Sequence, residues 1–179
     1  VAALPQGTSF TAKTPMGNID ILLSMDGIHN VYNALAAVAV GILSGVEPER
    51  IAKGLREMEN APLRQNIYEK DGLTIIEDCY NASPASMTAA LDVLKGKPGR
   101  KVVVLGDMLE LGDLASELHR QVGEQLNGVS VLICYGKHTA DYIEGAQKAH
   151  VLQCIPCENT EKAALNLKLV ARKGDVILF

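Results

Sequence analysis

"RKVVVLGDMLELGDLASELHRQVGEQLNGVSVLICYG", residues 100–136, reads as a complete strand–helix–strand unit. The cores of its two flanking strands, VVVLG (102–106) and VLICYG (131–136), are apolar throughout rather than alternating. Strands covered by helices on both faces look like that. The segment between them, 115–128, predicts the crossover helix. The same alternation continues on either side. Strands are expected at 73–80, 152–157 and 174–179. Helices are expected at 83–96, with Ser83 as cap and Pro84 in the first turn, and at 138–149 and 160–171.

Repeated βα units predict an α/β fold: a Rossmann-like, doubly wound, mostly parallel sheet over residues 71–179. Such sheets hold ligands beyond the carboxyl ends of their strands. That rim carries Asp78, Cys79, Tyr80, Asn81, Gly106, Asp107 and Gly136. Upstream the pattern differs. Residues 7–25 predict two short strands turning around Pro15-Met16-Gly17-Asn18. Residues 27–45 predict an Ala-rich helix capped by Asn30 and stopped at Gly45, and 47–59 a second helix with Pro48 near its start. Pro62 breaks that pattern. The reading is therefore a strand–helix part over 1–61, a linker over 62–70 and an α/β part over 71–179.

The chain has 179 residues, 47% apolar and 21% charged, with a formal charge of −4. That is enough chain for one good core or two small ones, in an ordinary globular composition. No basic stripe appears, aromatic residues make up 4% and Trp is absent, which argues against nucleic-acid binding. No apolar run reaches the roughly 18 residues that span a bilayer, and residues 1–25 lack the pattern of a signal peptide. Four scattered cysteines do not make a disulfide framework. Cys154-Ile-Pro-Cys157 has redox spacing, although a lone C-x-x-C also arises by chance. A reducing, cytoplasmic setting is expected. The chain opens at Val1 and closes on an apolar strand, as a piece of a longer protein would.

There is no phosphate loop, dinucleotide fingerprint, nucleophile elbow or zinc spacing, so no catalytic group and no metal ligand is assigned. Four groups remain. His29, Asn30 and Asn33 sit at a helix start, with the two amides on one face; amides match an adenine edge, and they also cap helices. Arg64 lies in the linker, where a guanidinium reaches phosphates or is simply a solvated charge. In Glu77-Asp78-Cys79-Tyr80-Asn81, the carboxylate of Asp78 suits ribose hydroxyls, while Asn81 or Ser83 equally suits a helix cap. Asp107 and Glu110, with His119 downstream, suit an ammonium; acids there also favour a helix N-terminus.

In this order, GIHNVYNALAA (27–37), EDCYNASPASMTAAL (77–91) and VVVLGDMLELGDLASELH (102–119) resemble the Mur ligase family, over nearly the whole chain. Glu77, Cys79 and Ser83 are mild departures. The resemblance is strongest to the branch that joins D-alanyl-D-alanine to UDP-N-acetylmuramoyl-tripeptide, in bacterial peptidoglycan precursor synthesis. It implies an ATP- and Mg2+-dependent amide ligase, a cytoplasmic monomer, that works through an acyl phosphate. It further implies that 1–61 is the end of a central ATPase domain, whose phosphate loop and metal ligands lie upstream, and that 71–179 is most of the C-terminal domain. His29, Asn30, Asn33, Arg64 and Asp78 would then contact ATP, and Asn81, Asp107, Glu110 and His119 the dipeptide. The fragment alone would be inactive. The alternatives are another Mur-type or folylpolyglutamate synthetase-like ligase, or a non-catalytic nucleotide- or partner-binding module.

Overall fold

The computed structural model describes residues 1–3, 7–58 and 61–179. They form two compact units, Val1–Ala61 and Pro62–Phe179.

In the first unit, β1 (Ala2–Ala3), β2 (Thr8–Thr14) and β3 (Gly17–Leu23) form an antiparallel sheet in that order. The β2–β3 hairpin closes over Pro15 and Met16, with Thr14 opposite Gly17. Alternate residues Phe10, Ala12, Ile19, Ile21 and Leu23 are buried, as expected of a sheet with one covered face. Onto that face α1 (Ile28–Leu43) packs Val31, Ala34 and Val38, and α2 (Pro48–Arg56) packs Ile51 and Leu55. These spacings put one stripe of each helix inward. The helix stop at Gly45 is as expected: its N–H donates to Ile42 O at 3.0 Å, and that of Val46 to Gly41 O at 2.9 Å, a crossed pair that satisfies the last carbonyls. The expected cap is not. Gly27, at φ 98°, precedes the helix without a side-chain cap, and Asn30 lies inside the first turn. The second helix was expected to reach Glu59, which with Asn60 lies outside the described residues.

The second unit contains β4 (Asn66–Lys70), β5 (Leu73–Glu77), α3 (Pro84–Gly96), β6 (Arg100–Leu105), α4 (Ala115–Glu124), β7 (Val129–Tyr135), α5 (Thr139–Lys148), β8 (Gln153–Cys157), α6 (Thr160–Val170) and β9 (Asp175–Leu178). Its six strands run in the order β4-β5-β9-β6-β7-β8. All neighbouring pairs are parallel except β4 with β5. Helices α3, α4 and α5 bury one face and α6 the other. Right-handed crossovers demand this: steps outward from β5 to β8 put their helices on one side, and the return to β9 puts its helix on the other. Along β7, Leu132 and Cys134 enter the first core, while Val131 and Ile133 enter the second. The uninterrupted apolar run of β7 follows from that double burial.

One strand was missed. β4 falls in the segment read as a linker, and pairs with β5 through Lys70↔Leu73. The turn is Asp71-Gly72, both at positive φ, a pairing that strongly favours two-residue hairpins. The C-x-x-C pair also resolves. Both cysteines lie inside β8, Cys154 against the first core and Cys157 in the second. Three residues along a strand span roughly 10 Å and change face, so the thiols cannot form a disulfide. Among the described residues no helix is long and apolar enough to cross a membrane.

Candidate active-site cavity at the strand ends

The carboxyl ends of β5, β6, β7 and β9 enclose a cavity of about 530 Å³. Its rim carries the carboxylates of Glu77, Asp78 and Asp107 and the phenols of Tyr68, Tyr80 and Tyr135, and its apolar lining includes Ala90, Val104, Leu105 and Leu178. Asp78 and Asn81, on one loop, thus come together with the distant Asp107. The strands end here because each apolar run gives way to polar residues that start the next loop. Ser83 then caps α3, its hydroxyl accepting from Ser86 N–H while Ser86 Oγ accepts from Ser83 N–H.

The β5 loop is tied to the chain before β4. Asp78 donates its N–H to Phe179 O at 3.0 Å, and its Oδ1 accepts from Gln65 N–H at 3.2 Å. The Asp78 carboxylate thus fastens the loop to the connector as well as lining the cavity. Tyr80 donates its N–H to Leu63 O, and its ring lies 4.4 Å beneath the Arg64 guanidinium. That stack places Arg64 beside the rim. Asn81 Oδ1 accepts from Ala82 N–H at 2.9 Å. Cys79 lines the cavity too; burial and the nearby Glu77 carboxylate push its thiol pKa up, so at neutral pH it is not a thiolate nucleophile.

The β6 loop is tied to the α4–α5 pair. Asp107 Oδ2 accepts from Lys137 N–H at 2.8 Å and Oδ1 from His138 N–H at 3.1 Å. Gly136 makes this possible: at φ 113°, a Cβ there would lie 2.4 Å from the Asp107 carboxylate. Asp107 is thus a clamp on the start of α5 as well as a rim carboxylate.

Two residues expected at the dipeptide do not line this cavity. Glu110 is exposed at φ 61° and does not line the cavity. His119 is fully buried. Its Nε2 accepts from Met108 N–H at 2.9 Å and its Nδ1 donates to Ala115 O at 2.6 Å. With both nitrogens bonded to backbone, it presents none to the cavity. Tyr68 and Tyr135 were overlooked. The Asp71-Gly72 turn signals the hairpin that delivers Tyr68, and Tyr135 closes a strand whose next residue, Gly136, was already placed on the rim.

In the first unit, Asn30 is buried, its Nδ2 donating to Asp26 O at 2.8 Å and its Oδ1 accepting from Asn33 Nδ2 at 3.4 Å. The expected pairing of the two amides on one face holds. Asn33 is exposed and His29 half-buried. Among the described residues, no three of His, Cys, Asp and Glu converge on a metal-sized position. The described side chains do not by themselves assemble an Mg2+ site.

A mostly parallel sheet with acidic side chains around a cavity at its strand tips is the frame the residues build. Residues 63–179 match the family of the Mur ligase, glutamate ligase domain, and the chain belongs to that family. Its relatives include the UDP-N-acetylmuramoyl-tripeptide–D-alanyl-D-alanine ligase of Bacillus subtilis, 41% identical over all of this chain and 40% of that protein. The crystal structure of MurF from Acinetobacter baumannii superposes with a TM-score of 0.86 at 35% identity, over 98% of this chain and 39% of the other. MurF ligase from Thermotoga maritima in complex with ADP gives 0.82 at 27% identity, over 99% and 40%. The chain therefore spans about 40% of the length of these relatives.

Proposed function

We propose that this chain is the C-terminal portion of a MurF-type ligase, which joins D-alanyl-D-alanine to UDP-N-acetylmuramoyl-tripeptide with conversion of ATP to ADP and phosphate. The reading rests on the 41% identity to the Bacillus subtilis ligase along the whole chain. In it, 1–61 is the end of an ATPase domain, 62–70 a connector that includes β4, and 71–179 the domain that receives the amine substrate. The protein is a cytoplasmic monomer, and its Mg2+ is held by residues outside this chain.

The chemistry assigns the side chains. The tripeptide carboxylate takes the γ-phosphoryl group of ATP, the dipeptide amine attacks the resulting acyl phosphate, and phosphate leaves as the amide forms. The protein's task is to align these groups and to keep water away. Asn33, oriented by Asn30 and flanked by His29, offers an amide to adenine. Asp78 accepts ribose hydroxyls, and Arg64 balances phosphate charge. Asp107 and Asn81 face the dipeptide; a rim carboxylate stabilises its ammonium before the proton is lost. Glu110 is left to solvent.

The test is dipeptide-dependent phosphate release by the full-length protein. We expect release only when ATP, the UDP-muramoyl-tripeptide and D-alanyl-D-alanine are all present. Asp78→Ala should raise the KM for ATP by about tenfold, the loss of one or two charge-assisted hydrogen bonds. Unchanged kinetics would remove Asp78 from the nucleotide site, and release stimulated equally by a single amino acid would contradict the dipeptide assignment.

A further inference from the structure

His119 does not contact the cavity, yet it sits beneath the loop that shapes one wall of it. Met108 N–H can only donate, so Nε2 of His119 accepts, and Nδ1 carries the hydrogen given to Ala115 O. That fixes a neutral tautomer. The ring stacks on His138, with centroids 4.3 Å apart, and meets Tyr142 edge-on at 4.9 Å. Tyr142 in turn donates its hydroxyl to Gly106 O at 2.9 Å. The carboxylate of Asp107 takes the amides of Lys137 and His138. Three consecutive residues, 106–108, are therefore held by three separate anchors. All three anchors come from the α4–α5 side of the unit.

An aliphatic side chain would fill the same volume without burying two polar nitrogens, which cost free energy unless each is bonded. What histidine adds is a directed acceptor for one backbone amide of the rim loop. The next residue, Leu109, leaves these anchors and lines the cavity. We propose that His119 is a positioning residue: through Met108 it sets the place of the Gly106-Asp107-Met108 loop, and so the fit of the amine-bearing substrate. The substrate half of this statement rests on the ligase reading above.

The experiment uses the full-length protein with His119→Phe and His119→Gln. Phenylalanine keeps a ring against His138 and Tyr142 but removes the acceptor. Glutamine gives up the ring and keeps an acceptor near the position of Nε2. We expect His119→Phe to raise the KM for D-alanyl-D-alanine about tenfold, with the KM for ATP within about twofold of wild type, and His119→Gln to recover most of the loss. Amide hydrogen exchange at Met108 supplies a readout that does not need turnover: slow in wild type and His119→Gln, fast in His119→Phe. Equal exchange at Met108 in wild type and His119→Phe overturns the proposal. So do a Gln variant as impaired as Phe, and parallel changes in both KM values. A wild-type protein without dipeptide-dependent turnover overturns the ligase reading instead, and the exchange rates still decide on the anchor.

Discussion

Two loops rim the cavity, and they are built differently. Residues 106–108 are gripped from below by His119, Tyr142 and the start of α5. Residues 78–81 lean on residues 63–65 of the connector, through Asp78–Gln65, Tyr80–Leu63 and the Arg64–Tyr80 stack. That connector holds Leu63 and Gln65 in the left-handed region, at φ 61° and 48°, a conformation that side chains other than Gly and Asn adopt at some cost. The acidic residues at the two strand tips, Asp78 and Asp107, look alike in sequence. One anchors the connector and the other anchors a helix start. A carboxylate at a strand end is as readily a fastener as a ligand, and its partners decide which.

The contrast can be broken from the tight side first. Gly136→Ala should unfold the arrangement around Asp107, because the new Cβ meets the carboxylate and the backbone there has φ 113°. We expect a loss of about 3 kcal/mol in denaturant unfolding. A mutant as stable as wild type would mean that the Asp107 clamp does not hold the loop. Next in size is the acid response of the same side. Burial pushes Asp141 up, but hydrogen bonds from Ser116 and His138 outweigh it and hold the carboxyl below its usual pKa. A lowered folded-state pKa gives stability that is present above the unfolded value and lost as pH falls through the folded one. Stability should therefore drop below about pH 4, and Asp141→Asn should flatten part of that drop in melting temperatures taken across the acid range. The smallest effect belongs to the loose side. Arg64→Ala removes one exposed cation–π contact, worth about 0.5–1 kcal/mol. A larger loss of stability would show that the connector is gripped more firmly than its contacts indicate.

What was legible in the sequence follows from the range over which each feature is encoded. Double burial writes itself into runs such as residues 102–105 and 131–134, so the strands and the alternation with helices could be read directly. Ser83, Pro84 and Gly45 act within a turn of themselves, and they act where expected. The order of strands is not local: nothing in residues 174–179 announces that they lie between β5 and β6. Asn30 was misread because a small polar residue near a helix start looks like a cap, whereas Gly27 turns the chain earlier. His119 was misread because a buried imidazole and an exposed one are the same letter, and its partner is a backbone amide with no letter at all. The hairpin of β4 was an avoidable miss, since Asp71-Gly72 advertises it.

The central place of β9 has a consequence for how the chain comes to be folded. This strand is only four residues, Asp175–Leu178, yet it joins β4-β5 to β6-β7-β8. As synthesis proceeds, both half-sheets emerge with a slot between them and two unpaired inner edges, which are templates for wrong pairing. Joining the two half-sheets waits for β9 to thread in over a long sequence separation, a slow step by nature. A chain that lacks residues 175–178 would therefore present a sticky pair of half-sheets instead of one continuous sheet.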